Sequence, residues 1–363
     1  MLPPVTTRNL LRLLRAGIFG REEQVEPLSA WKWQRLYQLS VMHGVTALVY
    51  DGMQRCHNQF FFQMPESQHA QWEAAAKAVE HQNQRLNIRV GELAHIFADN
   101  HWRALLFKGQ SLATYYDHPQ HRTPGDADFF FPEEVQADDA ALWAEDNGKD
   151  VAEGPSDNLR YQWQGISVEH HSQLARLTNP LRNRTLQQII DRALSEAAPA
   201  YVVVNGARIE TAPPTLNLLL IVIRVTKYLL SDGITMKQLS DLAVFLDKHA
   251  GSIDFDMLAK WVERLKLQGV VQLIGALTAE TMGLDEELIP FLQKDGSPDI
   301  DRVVAELSEL RGEWRSSGDQ SLFSPNDNSP ALFRRTRHSA RYFSYYPSET
   351  LTSFLSSLAR IEE

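Results

Sequence analysis

One stretch of the chain decides the fold that we expect, and it reads Gly125-Asp126-Ala127-Asp128-Phe129-Phe130-Phe131. An acidic start and an apolar end after a Pro-Gly turn are typical of a β-strand. Alternate residues of a strand point to the same face, so Asp126 and Asp128 hold two carboxylates side by side. Two negative charges this close repel each other, and a bound cation relieves the repulsion. Oxygen ligands of this kind favour Mg²⁺ or Mn²⁺.

A third carboxylate lies on a later predicted strand, Ile166-Ser167-Val168-Glu169-His170. The apolar residues of this strand share one face, and Glu169 points away from them. If the strand lies beside the one that carries Asp126 and Asp128, the three carboxylates converge. Three carboxylates can hold two metal ions about 3.5–4 Å apart, the arrangement used for in-line displacement at phosphorus. The alternative is that the Asp-x-Asp pair is a solvated turn, since short motifs often match by chance.

The surrounding residues predict a small mixed sheet. Residues 104–107 form a short apolar run that ends at Lys108-Gly109, as a buried strand ending in a turn does. A helix is expected to begin in residues 111–116. Two hairpins are expected later, one around Gln164-Gly165 and a more strongly indicated one around Asn205-Gly206.

Helices are expected on both sides of this segment. Apolar residues recur at three- and four-residue spacing before residue 100 and after Pro213-Pro214, which predicts amphipathic or buried helices. We therefore expect an α+β fold with a mixed-sheet core flanked by N-terminal and C-terminal helical regions. The expected divisions are a helical region at 1–100, an α/β core at 101–212, a helical region at 213–314, and a loop with a basic, aromatic tail at 315–363. We expect the tail to strap domains together rather than to bind RNA.

Composition narrows the class of protein. The 363 residues carry 36 Lys and Arg against 46 Asp and Glu, a net charge of -10, which argues against broad wrapping of nucleic acid but leaves a small basic pocket open. The single cysteine, Cys56, excludes an intramolecular disulfide and a cysteine-built metal site. The longest apolar run, residues 218–223, is too short for a bilayer, and the first residues lack the order of a signal peptide. We expect a cytoplasmic protein with no membrane partner.

Taken together, these motifs resemble the nucleotidyltransferase superfamily, which has a polymerase-beta-like fold. The resemblance lies in the run Phe107-Lys108-Gly109-Gln110-Ser111, in Arg122, in the Asp-x-Asp pair and in Glu169. It is closer to the bacterial family of uncharacterised nucleotidyltransferases, over roughly residues 28–290. The run Gly233-Ile234-Thr235-Met236-Lys237-Gln238-Leu239-Ser240-Asp241-Leu242-Ala243 resembles the C-terminal helical signature of that family.

Two stretches depart from the pattern of these families. The superfamily usually has Gly-Ser or Gly-Gly at the first turn, whereas here Gln110 separates Gly109 from Ser111. The close family often has a histidine on the first C-terminal helix and an arginine in the next. The matching stretches here contain Lys227 and Lys237 instead.

The resemblance implies roles for the site residues. Asp126 and Asp128 bind both metals, and Glu169 binds the metal near the attacking hydroxyl and helps to deprotonate it. The amides around Gly109-Gln110-Ser111, at a helix N-terminus, cradle phosphates, and the Ser111 hydroxyl adds a contact. Lys108 and Arg122 are candidate partners for the triphosphate charge, and the alternative for each is a structural ion pair.

The implied reaction moves a nucleoside monophosphate from an NTP to an unknown acceptor hydroxyl and releases pyrophosphate, with Mg²⁺ or Mn²⁺ as cofactor. Two alternatives remain open. One is a catalytically inactive relative that serves as a binding module, and the other is a sensor that binds a nucleotide without turnover. Intact carboxylates favour the enzyme, and the altered turn favours the inactive relative.

Four histidines lie near the acidic motifs: His118, His121, His170 and His171. None of them shows the helical spacing of a His-Glu-x-x-His metal motif. His170 and His171 are adjacent, so they face opposite sides of a strand. We expect ordinary surface or supporting histidines, with a zinc site as the alternative.

Overall fold

One mixed sheet organises the fold. The protein is described by a computed structural model, which covers residues 3–154, 157–231, 233–289, 300–310 and 340–352. Within this part the sheet has seven strands: β1 Leu105–Leu106, β2 Ala127–Phe130, β3 Lys149–Glu153, β4 Leu159–Trp163, β5 Ile166–His171, β6 Ala200–Val204 and β7 Ala207–Thr211. The strand order is β3-β4-β5-β2-β1-β7-β6. β2 pairs with β5 and β1 with β7 in parallel, and the remaining pairs are antiparallel.

Helices precede, interrupt and follow the sheet. The first group is α1 Val5–Phe19, α2 Ala30–Met42, α3 Thr46–Cys56 and α4 Glu66–Asp99. Between strands lie α5 Gly109–Ala113, a 3₁₀ turn at Pro119–His121, α6 Glu134–Asn147 and α7 Pro180–Glu196. The last group is α8 Pro214–Leu230, α9 Met236–His249, α10 Phe255–Leu265, α11 Gln268–Met282 and α12 Asp301–Leu307. No described helix is long and apolar enough to cross a membrane.

Turn chemistry explains both hairpins. Gln164 and Gly165 have φ values of 46° and 83°, and Asn205 and Gly206 have 48° and 81°. A two-residue type I′ turn requires positive φ at both positions, which Gly and Asn adopt readily. The two predicted hairpins are thereby confirmed as β4–β5 and β6–β7.

Helix α4 determines which face of the sheet is free for a site. Its apolar stripe packs on one face, where the ring of Phe97 meets that of Phe129 edge-on at 5.1 Å. Because side chains alternate along β2, burying Phe129 on this face directs Asp128 to the other. The acidic side chains therefore lie on the opposite face from α4.

The predicted fold class, α+β, is confirmed. The described residues before 100 and between 213 and 310 form helices and no strand, as the apolar spacing predicted. The division into four regions stays a prediction, and residues 315–339 of the predicted loop and tail lie outside the described residues. Part of the predicted tail is described: Tyr342 and Tyr346 are buried, and the Tyr346 hydroxyl donates to the carbonyl of Leu265 at the end of α10.

Candidate active site

The pairing of β2 with β5 brings two carboxylates together. Asp128 pairs with Glu169 across the parallel strands, and paired residues share a face of the sheet. Both residues are buried, with 8% and 5% of their surface exposed. Asp126 directly precedes β2 on the same face, is exposed, and hydrogen-bonds the Ser167 side chain.

The three carboxyl groups influence one another electrostatically. Loss of hydration, and then the negative charges of Asp128 and Glu169, raise the pKa of Asp126. One ligand atom each from Asp128, Glu169 and His171 lies within 4.8 Å of the others. The structure places Asp128 beside Glu169, and the convergence of Asp126 with these two carboxylates stays a prediction.

Lys108 compensates the buried charge of Asp128. Its Nζ lies 3.2 Å from Asp128 Oδ1, and 4.8 Å from the centre of the Phe107 ring. Burial alone would raise the pKa of Asp128, but the Lys108 ammonium and a hydrogen bond from His171 lower it below its ordinary value. Asp128 is therefore an ionised carboxylate that already attracts one cation. Of the two roles predicted for Lys108, the structural ion pair is the one present here.

A hydrogen-bond network fixes the orientation of His171. The backbone N–H of Ser172 donates to Asn158 Oδ1, so the Asn158 amide NH₂ faces Glu169 Oε1 at 2.8 Å and His171 Nδ1 at 2.9 Å. His171 Nδ1 accepts this bond, and its Nε2–H is then directed at Asp128 Oδ1, 2.7 Å away. His171 orients Asp128 and adds a nitrogen beside the carboxylates.

Glu169 is held through hydrogen bonds to one oxygen, and no side chain in the described part of the protein donates a hydrogen bond to the other. Asn158 and Arg160 both donate to its Oε1, the latter from the neighbouring strand at 3.1 Å. Its Oε2 lies 3.4 Å from His171 Nε2. This second oxygen is the one positioned to take a cation or a proton.

The turn after β1 brings backbone close to the acidic residues. Lys108 adopts φ 57° and ψ -129°, a sparsely populated conformation that directs the chain into α5. A side chain at Gly109 would place its Cβ 3.2 Å from the carbonyl oxygen of Asp126, which is tighter than an ordinary contact. Glycine therefore allows the turn to approach the start of β2.

The side chains of Gln110 and Ser111 face the interior of the protein. Gln110 donates to Asn83 and Asn87 on α4, and Ser111 Oγ lies 2.8 Å from Thr211 Oγ1. Both residues are buried. They anchor α5, and the geometry does not favour the phosphate contact that we expected from the Ser111 hydroxyl. The main-chain amides of 109–111 remain the candidates at this turn.

Arg122 forms a buried ion pair, which is the alternative that we gave to a contact with the triphosphate. Its Nε and Nη2 lie 2.6 and 2.9 Å from the two oxygens of Asp241 on α9. Asp241 also accepts from Arg224 at 2.8 Å and from the Tyr116 hydroxyl at 2.9 Å. Burial alone would raise the pKa of Asp241, but the two guanidinium groups lower it to about 2.

Positive charge exceeds negative charge around Asp241. Lys237, one turn before Asp241 on α9, has no ion-pair partner among the described residues. Burial, together with the charges of Arg122 and Arg224, lowers the pKa of Lys237 to about 7. Within the described chain Arg122 Nη1 and Arg224 Nε are buried donors without an acceptor. Such surplus donors and charge are suited to an anion.

Sequence reasoning did not assign a role to Lys237, Asp241 or Arg224. It expected His171 to be an ordinary surface or supporting histidine, with a zinc site as the alternative. For Lys237 and Asp241 a signal was present, because both lie in the run 233–243 that resembled a family signature. Nothing in the local pattern marked Arg224.

The chain is similar to one described family and to a solved structure. The comparison with curated proteins found no match. Among solved structures, the chain is similar to an antigenic nucleotidyltransferase-like protein from Paracoccidioides brasiliensis, with 14% identity and a TM-score of 0.34 over 50% of this chain and 92% of that one. A family model described as uncharacterised nucleotidyltransferase matches residues 29–283. That match covers most of the chain and every predicted site residue, and the protein therefore belongs to this family of nucleotidyltransferases.

Proposed function

We propose that this protein transfers a nucleoside monophosphate from an NTP to an acceptor hydroxyl in the cytoplasm, with Mg²⁺ or Mn²⁺ as cofactor and pyrophosphate as product. One observation carries the proposal: the buried carboxylates of Asp128 and Glu169 lie side by side on paired parallel strands, with Asp126 on the same face. Family membership supports nucleotidyl transfer in general.

The residues fit a divalent cation. The donors are carboxylate oxygens, which suit Mg²⁺ and Mn²⁺, and the ammonium of Lys108 at Asp128 shows that this face attracts positive charge. Asp126, Asp128 and Glu169 would hold the ions. When bound, such ions polarise the phosphoryl oxygens and stabilise the charge on the attacking and leaving oxygens.

Side chains of this protein carry out proton transfer and bind the phosphates. Glu169 takes the proton of the acceptor hydroxyl on Oε2, because Oε1 is occupied by Asn158 and Arg160. Lys108 exchanges its bond to Asp128 for a phosphate oxygen. Lys237 receives the triphosphate beside the unpaired donors of Arg122 and Arg224. Asp241 keeps these cations in place before the nucleotide arrives.

The test is Mg²⁺-dependent pyrophosphate release by the full chain, with mixed NTPs and a panel of alcohols, sugars, peptides and nucleic acids as acceptors. We expect Asp128→Asn to reduce the rate about a hundredfold or more. The matched control is Asp139→Asn, an exposed carboxylate on α6, which should leave the rate unchanged. Equal rates for wild type and Asp128→Asn would contradict the proposal.

A second function, nucleotide binding without turnover, is favoured by two contacts. Lys108 is already paired with Asp128, and the Ser111 hydroxyl is engaged by Thr211 rather than free for a phosphate. In that case NTP with Mg²⁺ raises the melting temperature of wild type, while no acceptor gives pyrophosphate.

A further inference from the structure

A second cluster of histidine and carboxylate side chains shares no residue with the acidic site. Asp51 lies on α3, and His118 and His121 lie at the 3₁₀ turn 119–121. Each offers one ligand atom, and these atoms lie within 4.8 Å of one another. Side chains this distant in sequence meet only because α3 packs beside the turn.

Both ring nitrogens of His121 face carboxylates, which fixes the orientation of its ring. Its Nδ1 lies 2.8 Å from each oxygen of Asp51, and its Nε2 lies 2.8 Å from Glu80 Oε1 on α4. The residue is buried. The ring of His118 stacks on that of His121 at 5.6 Å with an angle of 24°, and His118 is exposed.

We propose that Asp51, His118 and His121 bind Zn²⁺, with Glu80 accepting the Nε2–H of His121. Two imidazoles and a carboxylate are ligands that zinc takes in three-ligand sites, which leave the fourth position to water. A ligating histidine commonly donates its other ring N–H to a carboxylate, which fixes the tautomer and the ring orientation. Glu80 stands in that position.

A competing arrangement uses His121 alone, as an imidazolium bridging Asp51 and Glu80. Burial by itself lowers the pKa of His121, and the two carboxylates raise it above its ordinary value. His118 distinguishes the two arrangements. Its imidazole makes no hydrogen bond to any described residue, so the bridge does not need this side chain, whereas the zinc site loses a ligand without it.

The site has a structural consequence for the chain leading into the acidic strand. Asn83 on α4 donates to the carbonyls of Gln120 and Arg122, and thus already ties the turn to α4. Zinc adds α3 to this junction. It fixes the segment that presents Arg122 to Asp241.

The experiment uses full-length protein that has been dialysed against a chelator and then titrated with Zn²⁺ by calorimetry. His171→Gln in excess Mg²⁺ is the background, because the substitution removes a ligand atom from the other cluster and Mg²⁺ occupies the carboxylates that remain there. We expect this protein to bind one zinc ion. Adding His118→Gln should weaken binding at least tenfold, and adding Glu80→Ala should weaken it about 10–100-fold. The matched control is His81→Gln, an exposed histidine on α4, which should leave the affinity unchanged.

The same variants are then loaded with Co²⁺, whose visible absorption reports tetrahedral nitrogen and oxygen ligands. His118 is exposed, so its substitution is not expected to disturb folding, and circular dichroism checks this. Loss of the cobalt bands in His118→Gln, with retention in His81→Gln, supports the site. Failure of the His171→Gln protein to bind zinc, or equal affinity with and without His118, overturns it. Neither result bears on nucleotidyl transfer.

Discussion

Replacing Lys237 with Met should stabilise the protein without nucleotide and weaken its binding of nucleotide. The native pKa of Lys237 is about 7, against an ordinary value of 10.5. Between these values the unfolded state binds more protons than the native state, so the free energy of unfolding rises with pH from about 7 to 10.5. Below pH 7 the free energy of unfolding is lowered by the full cost of keeping the Lys237 ammonium in the folded protein.

The magnitude follows from the same two values. At about 1.4 kcal/mol per pH unit, the difference sets an upper limit of roughly 5 kcal/mol. Lys237 is partly exposed, and solvent screening reduces the effect, so we expect about 1–3 kcal/mol at pH 6. Met has a similar length and no charge, which limits the change in packing.

The assay is urea unfolding of wild type and Lys237→Met at pH 6 and pH 9.5, with Lys260→Met as control. Lys260 is an exposed lysine on α10, and its substitution should change little at either pH. We expect Lys237→Met to be the more stable protein at pH 6, with a smaller advantage at pH 9.5. Its dissociation constant for NTP should rise about tenfold, since each factor of ten corresponds to about 1.4 kcal/mol.

Two outcomes would refute this reasoning. If Lys237→Met is less stable than wild type at pH 6, the ammonium is not held at an energetic cost. If the stability difference does not depend on pH, the lowered pKa of Lys237 is wrong. A stable variant with unchanged affinity for NTP would remove Lys237 from the proposed phosphate site.

Three further predictions follow from the titratable groups in and beside the site. Asp126→Asn should keep or slightly raise the melting temperature without ligand, because it removes repulsion between carboxylates. The variant should no longer be stabilised by Mg²⁺ and NTP, which in wild type add about 2.7 kcal/mol to the free energy of unfolding at a hundred times the dissociation constant. A lower melting temperature without ligand would indicate a structural role. Asp241→Asn should cost about 3–5 kcal/mol in urea unfolding, because Arg122 keeps its buried charge without a partner, and a loss below 1 kcal/mol would contradict the pairing. Burial lowers the pKa of His170 to about 3, so wild type should lose stability as pH falls from 6.5 towards 3, and His170→Gln should show a shallower loss in acid unfolding.

Much of the fold could be predicted because its signals are local. Asn205-Gly206 specifies a type I′ turn through the backbone angles that these residues adopt, and apolar spacing specifies the helices on either side. Two elements escaped this reasoning. β3 could not be predicted, because it is mostly exposed and lacks an alternating apolar pattern. Helix α7 could have been predicted, because Asn179 before Pro180 is a helix start signal in the sequence.

The candidate site shows the same difference between what local sequence patterns predict and what packing decides. The sequence by itself predicted that Asp126 and Asp128 point to the same side, because that follows from the two-residue period of any strand, and it determined which residues carry the carboxylates. Only the tertiary structure decided that Glu169 lies beside Asp128, that Arg122 pairs with Asp241 across 119 residues, and that His121 meets Asp51 and Glu80. The physical reason is that a charged side chain has no preferred partner in sequence. Its partner is chosen by which strands and helices pack together, and by the need to pair each charge that this packing buries.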